Sequence, residues 1–214
     1  MEENRKPLPD LDAAEQRIIG ALIEKSKTTP DYYPMTLNGL TAACNQKTSR
    51  NPVTNYSEET ITLTLDRLKS KGLAATVTGG SSRVTKWKHN LGLVYGLLPD
   101  ELAVICLLLL RGPLTPGEIN SNAGRLYEFD HIEEVQSVLH RLMEGDTPYV
   151  QQLEKRPGQK ETRYAHLLGQ QFVESDPGTI PAISSIPEDL AMRISRLEQG
   201  FEELKEMVNL LINK

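Results

Sequence analysis

A chain of 214 residues can form one large or two small domains, and 38 % hydrophobic residues are enough to exclude disorder throughout. Its net charge is -5, from 24 Lys+Arg against 29 Asp+Glu, so any basic surface has to be local. The longest apolar run, the nine residues Leu102 to Leu110, falls well short of the ~20 that a membrane-spanning helix needs, and Met1-Glu2-Glu3-Asn4-Arg5-Lys6 lacks the apolar segment of a leader; a mature cytoplasmic protein with no membrane partner is expected.

Residues 1–11 read as an N-terminal arm. Ile18, Ile19, Leu22 and Ile23 then recur at helical spacing behind Asp10 and Asp12, whose carboxylates suit a helix N-terminus, which predicts a helix from about Asp12 to Lys27. Pro30 and Pro34 break it. A short second helix from about Thr36 to Cys44 turns Leu37, Leu40 and Ala43 inward, and a polar loop containing Pro52 runs from Asn45 to Tyr56. Ser57 is placed to cap a third helix with Glu58 and Glu59 in its first turn and Ile61, Leu65 and Leu68 as its buried stripe, until Gly72 stops it. The period then changes: Leu73 to Thr78 and Arg83 to His89 are rich in Thr, Val and Trp and flank Gly79-Gly80-Ser81-Ser82, a hairpin signal. Three helices followed by a hairpin is the order of a winged helix-turn-helix domain.

The order repeats. Pro99-Asp100-Glu101 opens a helix through Leu110, and Thr115-Pro116-Gly117-Glu118 opens another. Asp130 is expected to cap a third helix with Ile132, Val135, Leu139 and Leu142, and Tyr149 to Lys155 and Lys160 to Leu167 flank a Pro157-Gly158 turn. Leu65-Asp66-Arg67-Leu68 in the first third helix answers Leu139-His140-Arg141-Leu142 in the second. The first copy is longer by the segments Thr29 to Pro34 and Asn45 to Tyr56, and such insertions are where function tends to be added. Asp176-Pro177-Gly178 and Pro181 to Pro187 read as a linker. Beyond it Leu190, Ile194, Leu197, Phe201, Leu204, Val208 and Leu211 alternate spacings of four and three, a heptad seam that suits an intermolecular coiled coil, although a helix docked on its own chain gives the same stripe. The fold class expected is therefore mainly α with small β-hairpins (α+β): two tandem winged helix-turn-helix domains over residues 12–98 and 99–170, a linker over 171–187, and a C-terminal coiled-coil-like helix over 188–214.

The stretch Glu24-Lys25, Thr29-Pro30-Asp31-Tyr32-Tyr33-Pro34-Met35-Thr36-Leu37-Asn38-Gly39-Leu40 and Cys44-Asn45-Gln46-Lys47-Thr48-Ser49-Arg50-Asn51-Pro52-Val53 resembles the YceH-like proteins, bacterial proteins of unassigned function built from tandem winged-helix domains. The likeness covers about residues 10–168. It implies the fold and no activity. Asn51 stands where the family pattern has Asp, so no carboxylate is present there.

Charge gives the first functional signal. Between Cys44 and Lys88 eight cations (Lys47, Arg50, Arg67, Lys69, Lys71, Arg83, Lys86, Lys88) face three carboxylates (Glu58, Glu59, Asp66), a local +5 in an acidic chain. On a helical projection Thr60, Thr64, Arg67 and Lys71 line one flank of the third helix, with Lys47 and Arg50 in the loop before it and Arg83 and Lys86 on the wing. These eight residues are the candidate contacts to duplex DNA. Glu59, Leu63 and Asp66 point more directly outward and fit DNA poorly, Leu63 being better suited to packing on a second domain or a partner. In the second copy Glu133, Ser137, His140 and Glu144 turn outward, an acidic surface better suited to protein.

No chemistry competes with these readings. His89, His131, His140 and His166 form no metal or catalytic spacing, and no nucleophile elbow or phosphate-binding loop occurs. Cys44 and Cys106 form no Cys-x-x-Cys pair and read as small buried residues. No catalytic residue, metal or cofactor is expected. The leading reading is a homodimeric DNA-binding regulator acting through the first domain; the alternative is a protein-interaction adaptor without nucleic-acid binding, and an enzyme or ligand sensor is third.

Each buried seam residue would contribute ~1.5–3 kcal/mol to pairing. Deleting residues 188–214 is therefore expected to leave a monomer in light scattering, and a truncated chain that stays dimeric would move the interface to the winged-helix domains.

Overall fold

The computed structural model describes residues 7–79, 82–155, 161–169 and 205. Helix α1 (Ala13–Thr28) is followed by a 3-10 turn (Pro30–Tyr32), strand β1 (Met35–Thr36), and helices α2 (Leu37–Cys44) and α3 (Glu58–Ser70). Strands β2 (Ala74–Gly79) and β3 (Ser82–His89) come next. Helices α4 (Leu91–Tyr95), α5 (Pro99–Arg111), α6 (Pro116–Ala123) and α7 (Ile132–Met143) then lead to strands β4 (Val150–Gln152) and β5 (Tyr164–His166). Among the described residues this is a mixed fold of helices and small antiparallel sheets, and no helix is long and apolar enough to cross a membrane.

The helix starts follow from their caps. Asp12 accepts from the Glu15 amide at 2.8 Å while the Glu15 carboxylate accepts from the Asp12 amide at 3.0 Å, a reciprocal box that fixes the start of α1. Thr115 and Glu118 form the same box at α6, while Thr36 and Ser57 cap α2 and α3 by accepting from the Gly39 and Thr60 amides. Each such cap is worth about 1 kcal/mol. Helix α7 departs from expectation: His131, not Asp130, is its N-cap residue and makes no side-chain cap bond. The Asp130 amide instead donates to the Glu134 carboxylate at 3.1 Å, so the carboxylate from inside the helix does the work.

Strand β1 has no signal in the sequence, because two residues cannot show a period. Met35 and Thr36 pair antiparallel with Trp87 and Lys86, giving a three-stranded sheet in the order β1-β3-β2. The second hairpin, β4 with β5, repeats the arrangement in reduced form, since Leu114, just before α6, bridges Tyr164 on β5. In both halves the short segment just before the second helix is tied to the second hairpin strand.

One core runs through both halves. Helix α5 is buried along Leu102–Leu110 and α1 along Glu15–Ile23, so neither keeps a solvent face over its central turns. The two cross closely at Gly20: a Cβ there would lie 2.8 Å from Leu110 and 3.3 Å from Leu109, and the Cys106 thiol donates to the Gly20 carbonyl at 3.4 Å. The segment 91–98, too apolar for a solvated tether, contributes α4 and the buried Leu91, yet Leu93 is 86 % exposed. The end of the expected arm is docked as well. Leu11 is fully buried and its amide donates to the Leu168 carbonyl at 3.0 Å. Gly169 alongside has φ 138°, and a Cβ there would lie 2.1 Å from the Leu11 carbonyl oxygen, so only glycine fits.

The described residues from Pro7 to Gly169 belong to one compact unit. The heptad seam Leu190, Ile194, Leu197, Phe201, Leu204, Val208 and Leu211 lies outside the described residues; Lys205 is helical.

Gly20→Val should cost about 1–3 kcal/mol in urea unfolding despite its better helix propensity, because the added carbons overpack the α1–α5 crossing. Gly124→Ala, where nothing lies within 4 Å of the added carbon, should be neutral or slightly stabilising in the same measurement.

Candidate functional site

The polar loop Asn45 to Tyr56 begins where α2 runs out of hydrogen-bond partners for its last carbonyls. Arg50 supplies one set: its guanidinium donates to the Ala43 carbonyl at 2.9 Å from Nη2 and 3.2 Å from Nε. It also grips the Glu24 carboxylate with two bonds of 3.0 and 2.7 Å and reaches the Ser49 carbonyl and the Gln46 Oε1. Arg17 supplies the other set, donating to the Cys44 carbonyl at 3.2 Å and the Pro52 carbonyl at 2.6 Å. Asn45 closes the loop by accepting from the Tyr56 amide and donating to the Tyr56 carbonyl, both at 2.8 Å. The loop is then fixed to the second half, where the Asn51 amide donates to the Leu110 carbonyl at 2.8 Å and Arg111 donates to the Ser49 hydroxyl at 2.9 Å.

This corrects two of the DNA-contact expectations. Arg50 is 6 % exposed and committed to Glu24 and to α2, so it cannot meet phosphate. Thr64 is buried, with its hydroxyl donating to the Thr60 carbonyl at 2.8 Å, because the α3 stripe is wider than Ile61, Leu65 and Leu68. Two further cations turn back on the chain. Arg67 pairs with Asp12 at 2.9 Å and approaches Glu15 at 3.9 Å, and Lys71 binds Glu15 at 2.7 Å and the Asp10 carbonyl at 2.9 Å. They neutralise the carboxylates that cap α1. Thr60 is half-buried beside the Ser57 hydroxyl. Lys47 is exposed on the loop and Lys86 half-buried on β3; Arg83 lies on β3 with its side chain outside the described residues.

What α3 leaves to solvent is acidic with an apolar centre. Glu58, Glu59, Thr62, Asp66, Lys69 and Ser70 are exposed, and Leu63 among them is 61 % exposed, not covered by the second half as its apolar character suggested. On α7, Glu133, Ser137, His140 and Glu144 are exposed as the helical projection requires, and Arg141 on its flank is held by Asp100 and Glu101.

The residues with catalytic potential are dispersed. Burial pushes His89 and His166 down to about 4, leaving both neutral at physiological pH, and it pushes the Cys44 thiol up to about 12 and Cys106 higher still. His140 pairs with Glu144 at 3.2 Å on the surface. Among the described residues no group of three His, Cys, Asp or Glu could hold a metal. Sequence reasoning missed Arg17 and Glu24 as the partners that organise the loop. Their signal was weak: Arg17 sits directly beside Ile18-Ile19 on a helix whose polar positions look solvent-facing.

A family described as "Protein of unknown function, DUF480" matches residues 11–159. A UPF0502 protein of Shewanella piezotolerans is 44 % identical over 215 aligned positions, covering 96 % of this chain and 99 % of its own length. Those of Pelobacter propionicus (44 % identical, covering 94 % of this chain and 93 % of the relative) and Chromobacterium violaceum (42 %, covering 92 % and 89 %) are similar at comparable length.

The Glu24 carboxyl carries the stability signature of the loop. Burial by itself would raise its pKa, but the bonds and charge of Arg50, helped by Lys25, outweigh that and hold it below the ordinary carboxylate value. Arg50→Met should cost about 3 kcal/mol in urea at pH 7, since Glu24 is left half-paired and the Ala43 carbonyl bare, whereas Lys47→Met should stay within about 0.5 kcal/mol. Because the folded pKa is depressed, the contribution is complete above the unfolded value near 4.5 and is lost as pH falls through the folded one, so the gap between wild type and Arg50→Met should narrow there.

Proposed function

The chain belongs to the DUF480 family of proteins of unknown function, and we propose that this member is a protein-binding adaptor built on two tandem winged-helix repeats. The repeat is supported by the matching strand pairings before α2 and α6. The observation that carries the adaptor reading is the outward face of α3: in a winged-helix protein this helix would enter the major groove, and here it presents Leu63 within Glu58, Glu59 and Asp66. Carboxylates beside phosphate cost energy, and an exposed leucine on a rigid helix suits an apolar pocket on a protein. The heptad seam at residues 190–211 would join two copies and present the face twice.

A second reading, duplex DNA, keeps one observation in its favour. Lys47, Lys86 and Lys88 have no ion pair among the described residues, and they flank α3 from the loop and the sheet. With about three phosphate contacts, log K would fall with log salt at a slope of about -3.

A photo-crosslinking amino acid at position 63, introduced in the producing cell, is expected to give a discrete protein adduct that the same group at the exposed Asp146 does not give. Fluorescence anisotropy with mixed-sequence duplexes should show no saturable binding at low salt. Binding with a slope near -3 that Lys86→Glu abolishes, without an adduct at position 63, would transfer the function to DNA.

A further inference from the structure

The loop that Arg50 fixes also forms one wall of a cleft between the two halves. It is bounded by the C-terminal turns of α1, α5 and α6, and its volume is about 140 Å³, an order of magnitude more than a single water requires. Three cations line it: Lys25 from α1, Arg111 from α5 and Arg125 just beyond α6. The hydroxyls of Thr48 and Ser49 and the amide of Asn122 complete the polar wall.

The charge balance there is positive. Among the described residues Glu24 is the one carboxylate lining the cleft; the buried Arg50 behind it takes two bonds and Lys25 pairs with it at 3.2 Å, so one negative charge stands against both of these cations as well as Arg111 and Arg125. Three helix C-termini bring about half a negative charge each, which does not offset three full cations. The donors are also in surplus. Arg111 uses one nitrogen on the Ser49 hydroxyl, and Arg125 has neither an ion pair nor a hydrogen bond among the described residues. Unpaired guanidinium groups converging on a walled space with hydroxyl donors are the chemistry that recognises an oxyanion.

We propose that this cleft binds a small oxyanionic ligand, a phosphate monoester or a small carboxylate, held between Lys25, Arg111 and Arg125. The site is separate from the α3 face and independent of the adaptor reading. A ligand there touches α1 and the Asn45–Tyr56 loop of the first half and α5 and α6 of the second, so it couples the two across the Ser49–Arg111 contact.

The test is calorimetric titration of the full-length chain at constant ionic strength with inorganic phosphate and, separately, with citrate. Saturable binding of at least one anion is expected, weakened at least about tenfold by Arg125→Ala and by Lys25→Gln. Arg125→Ala should leave the unliganded melting temperature within about 1 °C, because that exposed side chain holds nothing else together. Preference for phosphate assigns a phosphate monoester, and preference for citrate a carboxylate. Absence of saturable binding by either anion, or binding that both variants leave unchanged, would overturn the proposal and reduce the three cations to partners of their own helix ends.

Discussion

The last turn of α2 ends on the Ala43 and Cys44 carbonyls, which no backbone amide of a continuing helix can reach, and two buried arginines take them. Arg50 comes from the loop that follows, and Arg17 from the helix that precedes. Guanidinium groups suit this place because each offers several donors in a plane and because a helix C-terminus carries partial negative charge. Glu24 then neutralises Arg50, which fixes the distance from α1 to the loop, and the loop carries Ser49 and Asn51 to the end of α5. A short helix end thus sets the geometry of α1, the loop and the approach of the second half.

That approach explains why α1 is buried over its central turns. On its own, a first helix with Ile18, Ile19, Leu22 and Ile23 would keep Glu15, Gln16 and Arg17 in water. Here α5 covers the far side, crossing where Gly20 gives the room, and each polar group needs a partner within the protein. Glu15 finds Lys71, Gln16 finds the Leu11 carbonyl at 2.8 Å, and Arg17 finds Cys44 and Pro52. Burying α1 is what draws Arg67, Lys71 and Arg50 out of the pool of surface cations.

The functional weight moves with them. A local +5 counted along the sequence becomes a much weaker field once three of its charges are paired inside the same unit. What remains outside is a helix face with Leu63 at its centre and lysines set around its edges. A second group of cationic side chains lies elsewhere, in the cleft where α1, α5 and α6 end, where Lys25, Arg111 and Arg125 outnumber the single lining carboxylate, Glu24.

The sequence by itself determined most of the helices and several of their starts, because those follow from short-range rules: Asp12, Thr36, Ser57 and Thr115 bond to amides three residues ahead, and the apolar spacing of Ile61, Leu65 and Leu68 marks a buried face wherever the helix packs. It also marked the loop residues Cys44 to Val53 as unusual. It did not tell what they are for, since Glu24 and Arg50 are 26 positions apart and only the packed fold brings their charges to 2.7 Å. Strand β1, with two residues, has no period to read, and Leu63 has the same residue type whether covered or bare. Which cations face solvent and which face a carboxylate was decided by tertiary structure alone, because a side chain's partner is chosen by the surface packed against it.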